Sequence, residues 1–437
     1  MKVAMVSLGC DKNRIDSEEM LGLLRSGGFE ITTDVTEADA VVVNTCGFIA
    51  DAVEESVDAI LEAAQTMKDE AVLAVVGCLV ERYGDELQRE IPEIDLLLRP
   101  SELAEILPAI SERLGYKPAA AQRGRVLSTP PYLAYVRIAE GCNNLCTFCT
   151  IPSIRGPFRS RPPAEIVAEV RDLAARGVKE VVLVAQNTGD YGRDLDEHAS
   201  LPVLLKGIAR VEGVRWVRLL YCYPGGVTPE LLEVMASEPR IVEYLDIPLQ
   251  HGSAKILRAM GRRSEPRELI QLVEEIRRRV PAISLRTSLI VGFPGETEED
   301  FARLLEFTRR IAFDYVGTFI YSHEEGTAAA RLPGHLPRRI KEERRRRLMA
   351  EQLSITRARH ASRIGQLTEA IVEGVNPSDP ASMLGRTRWQ APEVDGHTVI
   401  LGSGASPGEI VPVRIVGYDD YDLIAEIVQG GNLMSTS

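Results

Sequence analysis

Six short apolar runs, 134–138, 180–186, 214–221, 244–249, 283–291 and 315–321, alternate with helical stretches at 163–176, 201–211, 228–237, 266–279 and 298–311. That alternation constrains the fold more than any other feature. Short apolar strands separated by helices pair in parallel through right-handed crossovers, which leaves a barrel-like or a doubly wound sheet. Six such units give a partial barrel, with its ligand site at the carboxyl ends of the strands.

Residues 1–115 repeat the theme. Runs 3–10, 40–46 and 71–78 are apolar and β-branched, and helical patterns at 16–24 and 51–66 separate them. Each run ends on a cysteine, namely Cys10, Cys46 and Cys78. Ligands bind at the carboxyl edge of a parallel sheet, so three thiols at three strand ends can meet despite their separation in sequence. Cysteine is also tolerated as packing in a buried strand, and spacing alone leaves that alternative open.

A second triplet follows the first barrel strand: Gly141-Cys142-Asn143-Asn144-Leu145-Cys146-Thr147-Phe148-Cys149. This C-x3-C-x2-C loop can wrap one iron–sulfur cube. Such cubes normally take four protein thiolates, so three leave one iron with an exchangeable position. A structural zinc site wants a further ligand pair, yet the next cysteine is Cys222 and the next histidine His198. A c-type haem attachment needs histidine after the last cysteine, where this chain has Thr150. Cys222 closes another strand-like run without partners and is assigned to core packing.

A chain of 437 residues is too long for one ordinary core. We divide it into an α/β unit at 1–115, a linker at 116–131 rich in small residues and proline, a barrel with its trailing helix at 132–364, and a small β-barrel at 365–437. The helix, about 337–363, carries Arg338, Arg339, Lys341 and the run Arg344-Arg345-Arg346-Arg347; with Glu342 and Glu343 among them, it reads as a solvated face. Beyond Gly365, short strands at 367–373, 386–390, 398–401, 409–415 and 422–428 are separated by glycine- and proline-bearing turns, which suits a small antiparallel barrel. Such barrels often bind oligonucleotides. Here Asp419, Asp420, Asp422 and Glu426 oppose a phosphate grip, and the net charge of −13 excludes a broad one. No apolar stretch has membrane-spanning length and the start lacks signal-peptide character, so a cytoplasmic protein with reduced thiols is expected.

The C-x3-C-x2-C loop after the first barrel strand, with Phe148 at the aromatic position before its third cysteine, resembles the radical S-adenosylmethionine superfamily. The rest of the chain narrows this. Ser7-Leu8-Gly9-Cys10-Asp11-Lys12-Asn13 with Asp16-Ser17-Glu18, Asn44-Thr45-Cys46-Gly47-Phe48-Ile49 and Val76-Gly77-Cys78 resemble the N-terminal domain of the methylthiotransferases. Ala139-Glu140-Gly141-Cys142-Asn143-Asn144, Ile151-Pro152-Ser153-Ile154-Arg155-Gly156, Arg159-Ser160-Arg161, Pro248-Leu249-Gln250-His251 and Val291-Gly292-Phe293-Pro294-Gly295-Glu296-Thr297 extend the likeness. The last segment resembles their OB-like TRAM module, so the resemblance covers essentially the whole chain in one domain order.

Within that family Leu8-Gly9-Cys10-x-Lys12-Asn13, Cys46-Gly47-Phe48-Ile49 and Leu249-Gln250-His251 resemble the branch that modifies an aspartate of protein twelve of the small ribosomal subunit. The tRNA-modifying branch typically has Gln-Met-Asn after the first cysteine and Gln-Ser-Gly at 250–252. Asp11 departs from the proline usual in the family. The resemblance implies two [4Fe-4S] clusters and S-adenosylmethionine. Sulfur at the Cys10, Cys46, Cys78 cluster would be methylated by one S-adenosylmethionine. A second, cleaved at the Cys142, Cys146, Cys149 cluster, would yield the radical that takes hydrogen from the aspartate β-carbon.

Partners then expected are the small-subunit ribosomal protein, alone or within the ribosome, a sulfur donor, a low-potential electron donor and RNA at the TRAM module, for a monomer without membrane contact. Phe148, Gln186, Gln250 and Arg286 are candidates for holding the cofactor, with Asn187 beside them; ordinary polar lining explains strand-end residues equally well. His251 reads as a hydrogen-bonded pocket residue, and the turn 292–296 as a close approach to adenosine or a plain strand-to-helix turn capped by Thr297 or Glu296. Three other readings stay open: a methylthiotransferase acting on tRNA, an electron-transfer protein with two cubes, and an RNA-binding module with structural cysteines.

Overall fold

The computed structural model describes residues 1–120, 124–196 and 198–428; linker residues 121–123, with Ala121, and the end of the expected C-terminal unit, 429–437, lie outside the described residues. The first sheet comprises β1 (Lys2–Ser7), β2 (Glu30–Thr32), β3 (Ala40–Thr45), β4 (Val72–Gly77) and β5 (Leu96–Leu98). Its order is β2-β1-β3-β4-β5 and every pair is parallel. Helices α1 (Asp11–Ser26), α2 (Ala50–Thr66), α3 (Cys78–Glu90) and α4 (Ile106–Arg113) cover both faces. Alternation along β3 decides which core each residue joins: Val41 and Val43 pack with Ile60 and Leu79 of α2 and α3, whereas Ala40 and Val42 meet Met20, Leu24 and Ile110 of α1 and α4. The two edge strands β2 and β5 escaped the sequence reading because three residues show no usable period.

The second sheet runs β6 (Leu133–Arg137), β9 (Glu180–Val184), β10 (Trp216–Leu219), β11 (Ile241–Asp246), β12 (Ser284–Val291) and β13 (Tyr315–Ile320), all parallel and each beside its predecessor. A strand order that never reverses is that of a partial barrel, not a doubly wound sheet. Between β6 and β9 lie a two-stranded ladder, β7 (Ala139–Glu140) with β8 (Arg159–Ser160), and the short helix α5 (Ile151–Arg155). Helices α6 (Pro163–Ala175), α7 (Leu201–Ala209), α8 (Pro229–Ser237), α9 (Ala254–Ala259), α10 (Pro266–Arg279) and α11 (Glu298–Ile311) follow in turn. Helix α11 starts where a capping box allows: Thr297 Oγ1 accepts from the Asp300 N–H at 3.2 Å and Asp300 accepts from the Thr297 N–H at 3.0 Å.

The barrel's inner core is shared among all three units. Tyr135, Val182, Val184, Trp216, Val242, Tyr244 and Tyr315 face Ile15 of α1 and Ile371 and Ala391 of the C-terminal segment. That segment is a closed barrel of β14 (Leu367–Val375), β15 (Ser382–Thr387), β16 (Thr398–Leu401), β17 (Ile410–Asp419) and β18 (Asp422–Ile427). Its seams are antiparallel except for the parallel β16–β18 pair. It seals the amino-terminal end of the larger barrel through buried charges. Glu180 accepts from Arg218 Nε at 2.8 Å and from Arg386 Nη2 at 2.7 Å, and Tyr244 donates to Asp395 at 2.7 Å. No described helix is long and apolar enough to cross a membrane.

Helix α12 (Arg338–Ala361) lies against β13. It is only partly the solvated helix expected: Arg345 and Arg346 are exposed, whereas Arg344 is buried and pairs with buried Glu296 at 2.6 Å. Near its end His360 is 1% exposed, between Tyr315 and Tyr418. Burial, helped by nearby Arg363, pushes its pKa down to about 4. The unfolded chain therefore binds this proton more readily, so the stability contributed by the neutral imidazole is full above about pH 6.5 and is lost as pH falls toward 4. We expect roughly 3 kcal/mol of acid sensitivity from this residue. His360→Phe should flatten the fall in melting temperature between pH 6.5 and 4; an unchanged slope would refute the assignment.

Candidate functional site

Both triplets lie at carboxyl ends of strands. Cys10 is the residue before α1, Cys46 follows β3, and Cys78 opens α3 directly after β4. Gly9 and Gly77, each just before a cysteine, adopt φ of +90° and +98°. A side chain at Gly9 would sit 2.9 Å from Cys46 Cβ, and one at Gly77 would sit 2.4 Å from Asn44 Oδ1, so only glycine lets these loops close on one another. Asn13, fully buried, then ties the three loops. Its amide donates to the Leu8 carbonyl at 3.2 Å and the Thr45 carbonyl at 2.9 Å, and its Oδ1 lies 3.5 Å from Cys78 Sγ. Ser56 of α2 clamps Cys46 on both sides, accepting from its N–H at 3.0 Å and donating to its carbonyl at 2.9 Å.

The compact loop is held by the barrel. Thr147 N–H and Oγ1 donate to the Met260 and Ala259 carbonyls at 3.0 and 2.8 Å, and the Ala329 N–H donates back to the Thr147 carbonyl at 2.8 Å. Phe148 packs edge-on against Phe293, ring centroids 6.4 Å apart. Arg262 stacks over Tyr223, donates to the Pro248 carbonyl, and lies 3.5 Å from Cys146 Sγ.

Two contacts join the triplets. Thr150, next after Cys149, donates to the Phe48 carbonyl at 3.3 Å, two residues beyond Cys46. Arg155 of α5 donates to Cys78 Sγ at 3.2 Å and to Asn13 Oδ1 at 2.6 Å, while Asp16 at 2.8 Å balances its charge. Its side chain is 3% exposed. Tyr221, just past β10, donates to Asp11 Oδ2 at 2.8 Å beside Cys10, so the α/β unit sits over the carboxyl mouth of the barrel. Glu324, beyond β13, adds a pair with Arg82 at 3.0 Å.

All seven cysteines are free. Burial pushes Cys78 up to about 11, against the pull of Arg155, and Cys149 up to about 12; Cys46 and Cys142 are also raised by burial. Such thiols become thiolates when a bound metal takes up their charge. Among the described residues no three histidine, cysteine or carboxylate side chains are gathered closely enough for a single metal ion. Two sets of three soft sulfur donors, with N–H groups directed at Cys142, Cys146 and Cys78, fit the chemistry of iron–sulfur cubes. Cys222 is fully buried in the main core.

The other candidates divide. Gln186 donates to Glu140 at 2.6 Å while its Oε1 stays unpartnered. Gln250 has φ of +73°, and its backbone bridges to Leu289. Asn187 is spent on its own turn, bonding Asp190 at 2.6 Å and accepting from Gly189 and Tyr223 at 3.1 Å. Arg286 lies within the barrel, 4.0 Å from Asp395 of the C-terminal unit, which the spacing of the sequence did not disclose. His251 accepts from the Ser253 N–H at 2.9 Å and sits 3.4 Å from Glu296, whose carboxylate binds the Gly292 N–H at 2.8 Å. That turn is built by internal bonds. Asn13, Ser56, Arg155, Arg262 and Tyr221 had no assigned role from sequence; only the quoted motifs containing Asn13 and Arg155 pointed toward two of them.

Comparison with known proteins agrees with this organisation. The Radical SAM superfamily matches residues 136–308, the "Uncharacterized protein family UPF0004" residues 2–99, and the TRAM domain residues 364–428. Proteins described as "Ribosomal protein uS12 methylthiotransferase RimO" are similar over almost the full length. That of Trichlorobacter lovleyi is 44% identical, covering 98% of both chains, and that of Geobacter sulfurreducens 45% identical with the same coverage. That of Desulforudis audaxviator is 46% identical over 98% of this chain and 97% of its own. Among solved structures the radical S-adenosylmethionine methyltransferase TsrM from Kitasatospora setae, with cobalamin and a [4Fe-4S] cluster bound, shares the fold. Its TM-score is 0.56 at 17% identity, over 75% of this chain and 76% of that one.

Proposed function

The chain belongs to the RimO family of ribosomal protein uS12 methylthiotransferases, and from that membership we propose that it adds a methylthio group to the β-carbon of an aspartate in uS12. It is a radical S-adenosylmethionine enzyme that transfers a sulfur-containing group. The observation that carries the site assignment is the meeting of two thiol triplets at one mouth, joined through Arg155 and Thr150. Cys142, Cys146 and Cys149 would hold one [4Fe-4S] cluster, and Cys10, Cys46 and Cys78 a second. Bound there, the clusters and S-adenosylmethionine supply an electron, a hydrogen-abstracting radical and the sulfur and methyl to be transferred.

The chain's own residues do the positioning. Phe148 and the Gly292 turn would wall the cofactor, Gln186 would offer its unpartnered Oε1 and Gln250 its side-chain amide at strand ends, and Arg286 supplies positive charge deeper in the lumen. Arg262 and Arg155 direct N–H groups at Cys146 and Cys78. Packing of the α/β unit over the carboxyl mouth, with the C-terminal barrel closing the other end, limits water, which protects a reactive radical. We place the unit boundaries at 1–115, 132–364 and 365–437, with 116–131 between. In the C-terminal barrel Arg386 and Arg388 are consumed by Glu180 and Glu243. That supports a basic ribosomal protein as the principal partner, with RNA contact at the TRAM surface secondary.

Full-length relatives of one named activity favour uS12 over tRNA. The test is anaerobic reconstitution with iron, sulfide, S-adenosylmethionine and reductant, then mass spectrometry of uS12 and of tRNA. Methylthiolation of the aspartate peptide is expected; modified tRNA with unmodified uS12 would overturn the reading. Arg155→Met should also shift the midpoint potential of the Cys10, Cys46, Cys78 centre to more negative values, because an N–H donor to a cluster thiolate favours the reduced state. Redox titration followed by electron paramagnetic resonance, in a Cys142→Ala background, isolates that centre. An unshifted potential would contradict the Arg155 contact.

A further inference from the structure

We propose that Lys12 binds the carboxylate of the substrate aspartate, which deepens the functional reading above and rests on it. Lys12 lies in the first turn of α1, two residues beyond Cys10, and is 9% exposed. Its Nζ stands 3.8 Å from the centroid of the Tyr221 ring. Among the described residues it has no hydrogen bond and no ion pair, and its Nζ is not among the side-chain atoms sealed away without a partner. The ammonium is thus shielded from most water, in contact with a ring face, and open to a ligand.

The buried or half-buried arginines nearest the triplets are engaged. Arg155 is held by Asp16, Asn13 and Cys78, and Arg137 by Asp16, Glu19 and Glu140. Arg82 pairs with Glu324, Arg262 donates to the Pro248 carbonyl, and Arg286 faces Asp395. The carboxylates nearest Lys12 make their hydrogen bonds to other groups. Asp11 takes the Tyr221 hydroxyl at 2.8 Å, and Asp246 takes the Tyr221 N–H at 3.3 Å through Oδ2; its buried Oδ1 makes no hydrogen bond and feels the Lys12 charge only at longer range. Tyr221 itself has φ of +58°, a conformation its surroundings must enforce, and these bonds hold its ring beneath Lys12.

A nearly buried ammonium without a hydrogen-bonded partner costs free energy that an incoming anion offsets. Three N–H donors and a ring contact leave room for a carboxylate. The anion implied by the proposed reaction is the side chain to be modified, and its β-carbon is one bond from the carboxylate carbon. Fixing the carboxylate at Lys12, two residues beyond Cys10 and over the Tyr221 ring past β10, would hold the reacting carbon at the carboxyl mouth of the barrel. Glutamate would displace that carbon by a methylene, and asparagine would lack the charge.

The carboxylate of S-adenosylmethionine offers the same chemistry, so the experiment separates the two sources. Wild-type, Lys12→Met and Lys12→Arg holoenzymes are titrated with labelled uS12 carrying either the target aspartate or asparagine in its place. Wild type should prefer aspartate by roughly tenfold or more, the scale of a charge-assisted contact. Lys12→Met should lose the preference, and Lys12→Arg should keep most of it. Equal iron content across the three proteins separates lost recognition from failed folding. A preference retained in Lys12→Met, or absent from wild type, overturns the inference. So does a raised KM for S-adenosylmethionine with the preference intact, which would assign Lys12 to the cofactor. A wild-type enzyme that does not methylthiolate uS12 at all overturns the functional reading, and this inference with it.

Discussion

Replacing Cys46 by alanine should abolish methylthiolation of uS12, a loss of at least about three orders of magnitude, while S-adenosylmethionine is still cleaved at a reduced rate. The backbone of Cys46 is clamped by the Ser56 hydroxyl on both its N–H and its carbonyl. Alanine keeps both bonds, so the fold should survive the loss of the thiol. Iron content should fall by about half, because two thiolates do not hold a cube that three retain. Cys149→Ala should remove both the transfer and the formation of 5′-deoxyadenosine. Iron assay, chromatography of the nucleoside and mass spectrometry of uS12 read the three quantities separately. If Cys46→Ala lost cleavage as completely as Cys149→Ala, the division of labour between the triplets would be wrong.

The second large effect falls on stability. Glu180 neutralises two buried guanidinium groups, Arg218 at 0% and Arg386 at 1% side-chain exposure. Glu180→Gln strands Arg218 without an anion, leaves Arg386 only its Nε pair with Glu373 at 2.6 Å, and should cost about 3–5 kcal/mol. Arg386→Met should cost clearly less, since Glu180 keeps Arg218 and the Glu373 carboxylate that loses Arg386 is partly exposed to water. Thermal and denaturant unfolding of the two variants at neutral pH compare them. Equal losses would mean that packing at this seam, rather than unbalanced charge, dominates.

Much of the architecture is readable from local chemistry. Helices 266–279 and 298–311 begin and end as the sequence implies because Pro266 and the Thr297-to-Asp300 box mark their starts. Strand β11 begins at Ile241, three residues before the expected 244, because Glu243 interrupts the apolar run; its carboxylate is there to meet Arg388 from a distant segment. The same cause displaced β15, expected at 386–390 and observed at Ser382–Thr387. Gly385 and Arg386 do not look like strand residues until Glu180 is placed opposite them. Arg344 looked like a surface charge for want of knowing that Glu296 lies under it.

The candidate site divides along the same line. Cysteines announce themselves through spacing and position after strands. Asn13, Ser56 and Arg155 do not, since each acquires meaning only from what lies across a fold: Asn13 from the Thr45 carbonyl, Ser56 from Cys46, Arg155 from Cys78. Tyr221 is similar, because its unusual backbone angle is invisible in a run of apolar letters.

Arg14 in the first helix pairs with Glu393 in the last unit at 2.7 Å, and Ile15 shares an inner core with Ile371 and Ala391. A closure spanning 379 residues cannot form while the chain is still being made. Until the final barrel emerges, the amino-terminal end of the larger barrel, opposite the thiol triplets, stands unsealed. Synthesis itself therefore provides an interval in which the lumen is reached from below, before the last segment shuts that end.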